Sequence, residues 1–186
     1  MSAPSSMTRR AALGAAGAML LSVLAPSLAM ALPAVGAVRP AVRLVDGWDR
    51  ELDLGRFERP ILLIYEDKDS ADQNQRLKDE LVSLEKSIEY RKVVAHISVA
   101  DVSAYDYWPA KGIAKGELRK WSQKLGIVVY GDFSGDVRTK LSLDKGESNV
   151  VLYAKSGEVL FASSGSLSAT QRDALIDLIR GLCGPA

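Results

Sequence analysis

Five consecutive apolar residues, Ile61 to Tyr65 (ILLIY), leave no polar position to face water and predict a strand buried on both faces. Directly after it the hydrophobic period lengthens. In EDKDSADQNQRLKDELVSLEKSI, Leu77, Leu81, Leu84 and Ile88 recur on one helical face. Ser70-Ala71-Asp72-Gln73 has capping-box spacing and predicts the start of that helix. A second apolar strand, Val93 to Ala100 (VVAHISVA), completes a βαβ unit, for which a right-handed crossover and parallel pairing are expected. Upstream, VRLVDGWDRELDLGRFERP alternates and turns at Asp46-Gly47, which predicts a short strand or hairpin.

The rest of the pattern is shorter-ranged. A helix is predicted from Ala114 to Leu125, with Leu118, Trp121 and Leu125 as its apolar face and Gly126 at the residue after its C-cap. Ile127 to Tyr130 is a brief strand, followed by turn chemistry in GDFSGD. SNVVLYA and EVLFA flank Lys155-Ser156-Gly157 and predict an antiparallel hairpin. Ser168-Ala169-Thr170-Gln171 is a second capping box, opening a helix whose buried face is Leu175, Leu178, Ile179 and Leu182. The fold class is α/β, with a central mixed β-sheet flanked by helices.

The first 31 residues do not share this patterning. Arg9 and Arg10 precede an uncharged run that ends in Ala29-Met30-Ala31, the anatomy of a cleaved secretory signal. A membrane anchor is the alternative, but Ala and Gly dominate the run and Pro26 breaks it. Thr8-Arg9-Arg10 resembles a twin-arginine signal without its usual aromatic, so both export routes stay open. The expected organisation is residues 1–31 signal, 32–41 linker and 42–183 one domain. A periplasmic or secreted location follows, with no membrane association after cleavage. Without Arg9 and Arg10 the 24 basic residues fall to 22, against 23 acids, and no basic block remains. Nucleic acid is therefore not an expected partner.

A βαβ half followed by a ββα half is the thioredoxin plan. The lead-in LVDGWDRELDLGRFERP, the hairpin NVVLYAKSGEVLF and the closing GSLSATQRDALIDLI resemble exported redoxin-type proteins of the thioredoxin-like superfamily, the last being similar to the tail of periplasmic YtfJ-like proteins. The resemblance implies a three-layer sandwich. It also implies a Cys-x-x-Cys pair at the mouth of the first long helix, opposite a cis-proline ahead of the hairpin. Counting along this chain, those places hold Asp69-Ser70-Ala71-Asp72 and Ser148.

The one cysteine, Cys183, stands near the C-terminus. Intramolecular disulfide exchange needs two thiols, so a redox dithiol is excluded by arithmetic. Cys183 reads as a stray thiol on a frayed tail, or as the link in an intermolecular disulfide dimer. In place of thiols, Glu66, Asp67, Asp69 and Asp72 gather carboxylates around Lys68. Helix-dipole stabilisation explains such acids, and the spacing matches no EF-hand loop. His96, the sole histidine, lies in a strand and reads as structural. One His and one Cys fall short of a zinc site.

Neither a catalytic residue, a cofactor nor a metal is expected. Asp67, Asp69, Ser70, Asp72 and Ser148 form a candidate binding region at the degenerate redox position. Tyr105, Tyr107 and Trp108 form a candidate partner surface, the alternative being a loop tucked over the core. The leading expectation is a non-catalytic protein that binds a protein or peptide partner. An enzyme or divalent-cation-binding protein using the acidic cluster is the alternative.

Overall fold

The computed structural model describes residues 32–184. The expected signal at 1–31 lies outside them. Seven strands, β1 (Arg43–Asp46), β2 (Glu51–Asp53), β3 (Ile61–Glu66), β4 (Ala95–Asp101), β5 (Val129–Asp132), β6 (Asn149–Tyr153) and β7 (Val159–Ser164), form one mixed sheet in the order β2-β1-β5-β4-β3-β6-β7. The helices are α1 (Gln75–Ile88), α2 (Ala110–Leu125), α3 (Asp136–Lys140) and α4 (Ala169–Cys183). ILLIY is the central strand, fully covered on both faces as its composition requires. It pairs parallel with β4 and antiparallel with β6.

Two successive crossovers, β3-α1-β4 and β4-α2-β5, move in the same direction across the sheet, which places α1 and α2 on one face. On that face Leu77, Leu81 and Leu84 of α1 and Leu175, Ile176 and Ile179 of α4 cover Leu62, Ile64, Val150 and Leu152. On the other face, α3 and the 3₁₀ turn at Leu54–Arg56 bury Val137, Leu141 and Leu54 against Leu63, Tyr65, Val151 and Tyr153.

Four sequence expectations change. First, α1 begins at Gln75 rather than at Ser70, and its N-cap is Asn74. Second, α2 turns Ala114, Leu118 and Ser122 to the sheet, leaving Trp121 and Leu125 half-exposed. The Ser122 hydroxyl donates to Leu118 O and accepts from Val129 N–H, so burial costs it nothing in unmade bonds. In α4, likewise, Ile176 is inward and Leu178 outward. Third, part of the segment read as a linker, residues 36–39, pairs with the start of β7: Gly36 N–H donates to Val159 O, and Arg39 N–H to Gly157 O. Fourth, Cys183 is not on a frayed tail. It ends α4, partly buried against the α1–α4 core. Among the described residues, no helix is long and apolar enough to cross a membrane.

Candidate functional site

The carboxyl ends of β3, β4 and β5 all point to one pole of the sheet. Three connections meet there: 67–74, 102–109 and 133–135. Ser148, at the start of antiparallel β6, joins them.

The 67–74 connection is held by its own polar groups. Asp67 Oδ1 accepts from Asp69 N–H (3.0 Å), Ser70 N–H (2.8 Å) and Ser70 Oγ (2.8 Å), and Asp67 N–H donates to Ser70 Oγ (2.9 Å). This is a side-chain-closed turn, the conformation Asx residues offer in place of a helix start. It explains why the Ser70/Gln73 spacing does not cap α1: the hydroxyl is spent on Asp67. Asp69 and Asp72 remain exposed, while Ser70 is completely buried.

Ser148 lies beneath this loop with no exposure, and all of its polar atoms are paired. Its N–H donates to Gln73 Oε1 (2.8 Å) and its carbonyl accepts from Gly165 N–H (3.0 Å). Its hydroxyl donates to Glu66 Oε1 (2.7 Å) and accepts from Asn74 Nδ2 (2.9 Å). Glu66 is held from its other oxygen by Lys78 Nζ (2.7 Å), which also donates to Ala71 O. Asn74 spans the site: Nδ2 reaches Gly165 O (2.9 Å) and Oδ1 accepts from Leu167 N–H (2.9 Å). Ser70 is thus closed on Asp67, and Ser148 on Gln73, Glu66 and Asn74; the two sets are joined through the Gln73 main chain, whose N–H donates to Ser70 O, while the Asp69 and Asp72 side chains stand outside both. Gln73, Asn74 and Lys78 carry the network beyond the residues expected from sequence. An Asn one residue before a helix is an N-cap signal that could have exposed Asn74.

The cis peptide bond found among the described residues joins Trp108 to Pro109. The connection containing it projects into solvent: Tyr107 is 62% exposed and Trp108 91%. Tyr105 is also exposed, so this loop is not tucked over the core.

Beside it, Asp132 is buried at the end of β5, accepting from Tyr65 Oη (3.0 Å), Gly135 N–H (2.9 Å) and Arg138 N–H (3.0 Å). Burial, then the charges of Asp132 and Asp101, push the Tyr65 phenol far up, so it serves as a fixed hydrogen-bond donor. His96 lies on the α1 side of β4, away from this pole. Its ring nitrogens are shielded and find no protein partner. Burial, then Arg91 and Lys78, lower its pKa to about 4. Among the described residues, no three acidic, histidine or cysteine side chains converge to hold a metal ion.

This layout is that of a thioredoxin-like fold. The thioredoxin domain of a thiol-disulfide oxidoreductase from Bacteroides vulgatus superposes with a TM-score of 0.54 at 14% identity, over 81% of this chain and 99% of that one. A protein of Chlorobium tepidum described as a thiol:disulfide interchange protein DsbE gives 0.59 at 15% identity, over 81% and 99%. A thiol peroxidase from Chromobacterium violaceum gives 0.56 at 15%, over 81% and 88%. No protein-family model matches the chain. No curated protein matches it either.

Proposed function

We propose that this chain is an exported accessory protein that uses the thioredoxin-like fold to bind a protein or peptide partner and transfers no electrons. One contrast carries the reading. At the pole where thioredoxin-like proteins place their thiols, Ser148 and Ser70 are buried and hydrogen-bonded, while Tyr107 and Trp108, on the connection that leaves β4, stand in water. Exposed Trp and Tyr are the side chains most enriched at the energetic centres of interfaces. Export is supported by the apolar, Ala-rich segment after Arg9-Arg10. The acidic-cluster alternative has weaker support, since Asp67 is consumed by its own turn.

The test compares the mature protein with a Tyr107→Ser, Trp108→Ser double variant. Both should fold with equal stability, because exposed side chains change stability by roughly 0.5 kcal/mol or less. Partner capture from a periplasmic extract should be lost in the variant. The unaltered protein, and its Cys183→Ser form, should show no insulin-reduction turnover. Turnover that survives Cys183→Ser would overturn the reading, as would partner capture indifferent to both aromatics.

A further inference from the structure

The sheet is incomplete at one place. β1 and β5 pair only at Val45↔Gly131 and Asp46↔Tyr130. Beyond that point β1 keeps its register with β2 through Leu44 and Arg43, while the chain leaves β5 after Asp132 and turns into α3. Where the strands part, a cavity of about 670 Å³ opens, lined in part by Arg43, Val45, Lys111, Phe133, Asp136 and Val137. Small-ligand pockets fall in the range of roughly 300–1,000 Å³.

Ladder alternation determines which backbone groups face this cavity. Asp46 N–H donates to Arg50 O and Val42 O accepts from Leu54 N–H, so even-numbered residues of this strand spend their groups on the β2 side. Odd-numbered residues direct theirs toward β5. Val45 meets Gly131 there. Arg43 would meet Phe133 by the same count, but Phe133 lies outside β5. On the opposite wall, Asp132 O accepts from Val102 N–H on the β4 side, which leaves Phe133 facing the cavity. Among the described residues, no backbone hydrogen bond joins Arg43 to Phe133.

The charges at the rim are mixed. Lys111 pairs with Asp106, Lys115 with Asp49, and Arg43 with Glu51, while Lys140 makes no ion pair among the described residues. The lining as a whole sets four cations against five carboxylates, so a phosphate meets no net positive field, and a cation would meet lysines. An extended peptide suits the site better. Its own N–H and C=O groups can complete the open strand edge, and alternate side chains can settle on Val45, Phe133 and Val137. Asp106 and Lys111, both in the lining, flank Tyr107 and Trp108 in sequence, so the aromatic loop begins and ends at the rim of the cavity.

We infer that the cleft between β1 and β5 binds an extended peptide segment by strand addition at Arg43. This deepens the partner-binding reading and rests on it. The informative variant is Arg43→Pro. It deletes the N–H that faces the cleft and takes nothing from the β1–β2 ladder. Arg43 is also the first residue of its strand, a position where proline is tolerated. Arg43→Ala keeps the N–H and is the control.

The probe is a set of pooled random hexapeptides, followed through the amide resonances of the mature protein. Binding should shift Arg43 and Phe133. It should weaken about ten-fold in Arg43→Pro, as expected for losing a main-chain hydrogen bond and its alignment, and stay within about two-fold in Arg43→Ala. Should Arg43→Pro misfold, Ser134→Trp fills the cleft mouth from an exposed loop position and should block binding equally. No binding by any pool at millimolar concentration overturns the inference, as does binding unchanged by Arg43→Pro and Ser134→Trp. If partner capture still depends on Tyr107 and Trp108 in either case, the cleft fails and the partner-binding reading stands.

Discussion

His96 shows how a single side chain can couple this fold to pH without taking part in any site. Its ring is covered by neighbouring chain, Arg91 and Lys78 lie close enough to oppose a proton, and no acceptor rewards protonation. The folded pKa of about 4 lies below the unfolded value near 6.5. Between those values the unfolded chain binds a proton that the folded chain refuses, so stability rises with pH across that window. It is complete above about pH 6.5 and drains away as pH falls toward 4. From pH 7 to pH 5 the loss should be about 2 kcal/mol, at about 1.4 kcal/mol per pH unit below the unfolded pKa. Urea unfolding at both pH values measures it, and His96→Leu should remove most of the difference. An undiminished loss between pH 7 and pH 5 in His96→Leu would overturn the assignment to His96; Asp46, whose bonds to Arg50 and Trp48 N–H outweigh its burial and lower its pKa, gives up its contribution only below about pH 4, outside that window.

At the scale of elements, the two capping boxes have the same spacing and different outcomes. Ser168 Oγ accepts from Gln171 N–H (3.3 Å) and Gln171 Oε1 accepts from Ser168 N–H (2.9 Å), closing the start of α4. At Ser70 a preceding Asp67 captures the hydroxyl, and Gln73 turns to Ser148 instead. Ser168→Ala should therefore cost about 1 kcal/mol and loosen the first turn of α4. Ser70→Ala should leave amide protection in the first turn of α1 unchanged. Hydrogen exchange on the two variants distinguishes them, and early fraying of α1 in Ser70→Ala would restore the sequence reading. Periodicity was legible in this chain wherever burial alone decides, as at ILLIY and at Leu77, Leu81 and Leu84. It was illegible where a polar group is buried for its bonds: nothing in the residue type ranks Ser122 above Trp121 for the inward face of α2. The degenerate redox position could be counted along the chain, but its closure by Gln73 and Asn74 could not, because their partners lie more than seventy residues away.

For the whole molecule, that closure makes Asn74 the residue on which three distant segments converge: the connection into α1, the start of β6, and the β7–α4 connection at Gly165 and Leu167. Asn74 is 2% exposed, so water does not readily replace what it supplies. Asn74→Ala would strand the Leu167 N–H and the Gly165 carbonyl. Ser148 Oγ would keep its bond to Glu66. Leaving the buried Leu167 N–H and the half-buried Gly165 carbonyl unpaired costs on the order of 3 kcal/mol, a large fraction of the stability of a domain this size. The loss should be localised as well as large. Amide exchange at Leu167 and Ser148 should accelerate, while β3 and the opposite end of β6 at Tyr153 keep their protection. A urea titration should move its midpoint at unchanged slope, with or without reductant, since the chain has one cysteine and no internal disulfide to lose. A uniform acceleration across the sheet would mean that Asn74 supports the global fold. Exchange indistinguishable from the unaltered protein would mean that the polar network holds nothing in place. The pole is kept closed by side-chain amides that bond main-chain groups on other segments, and Asn74→Ala tests the member that reaches furthest.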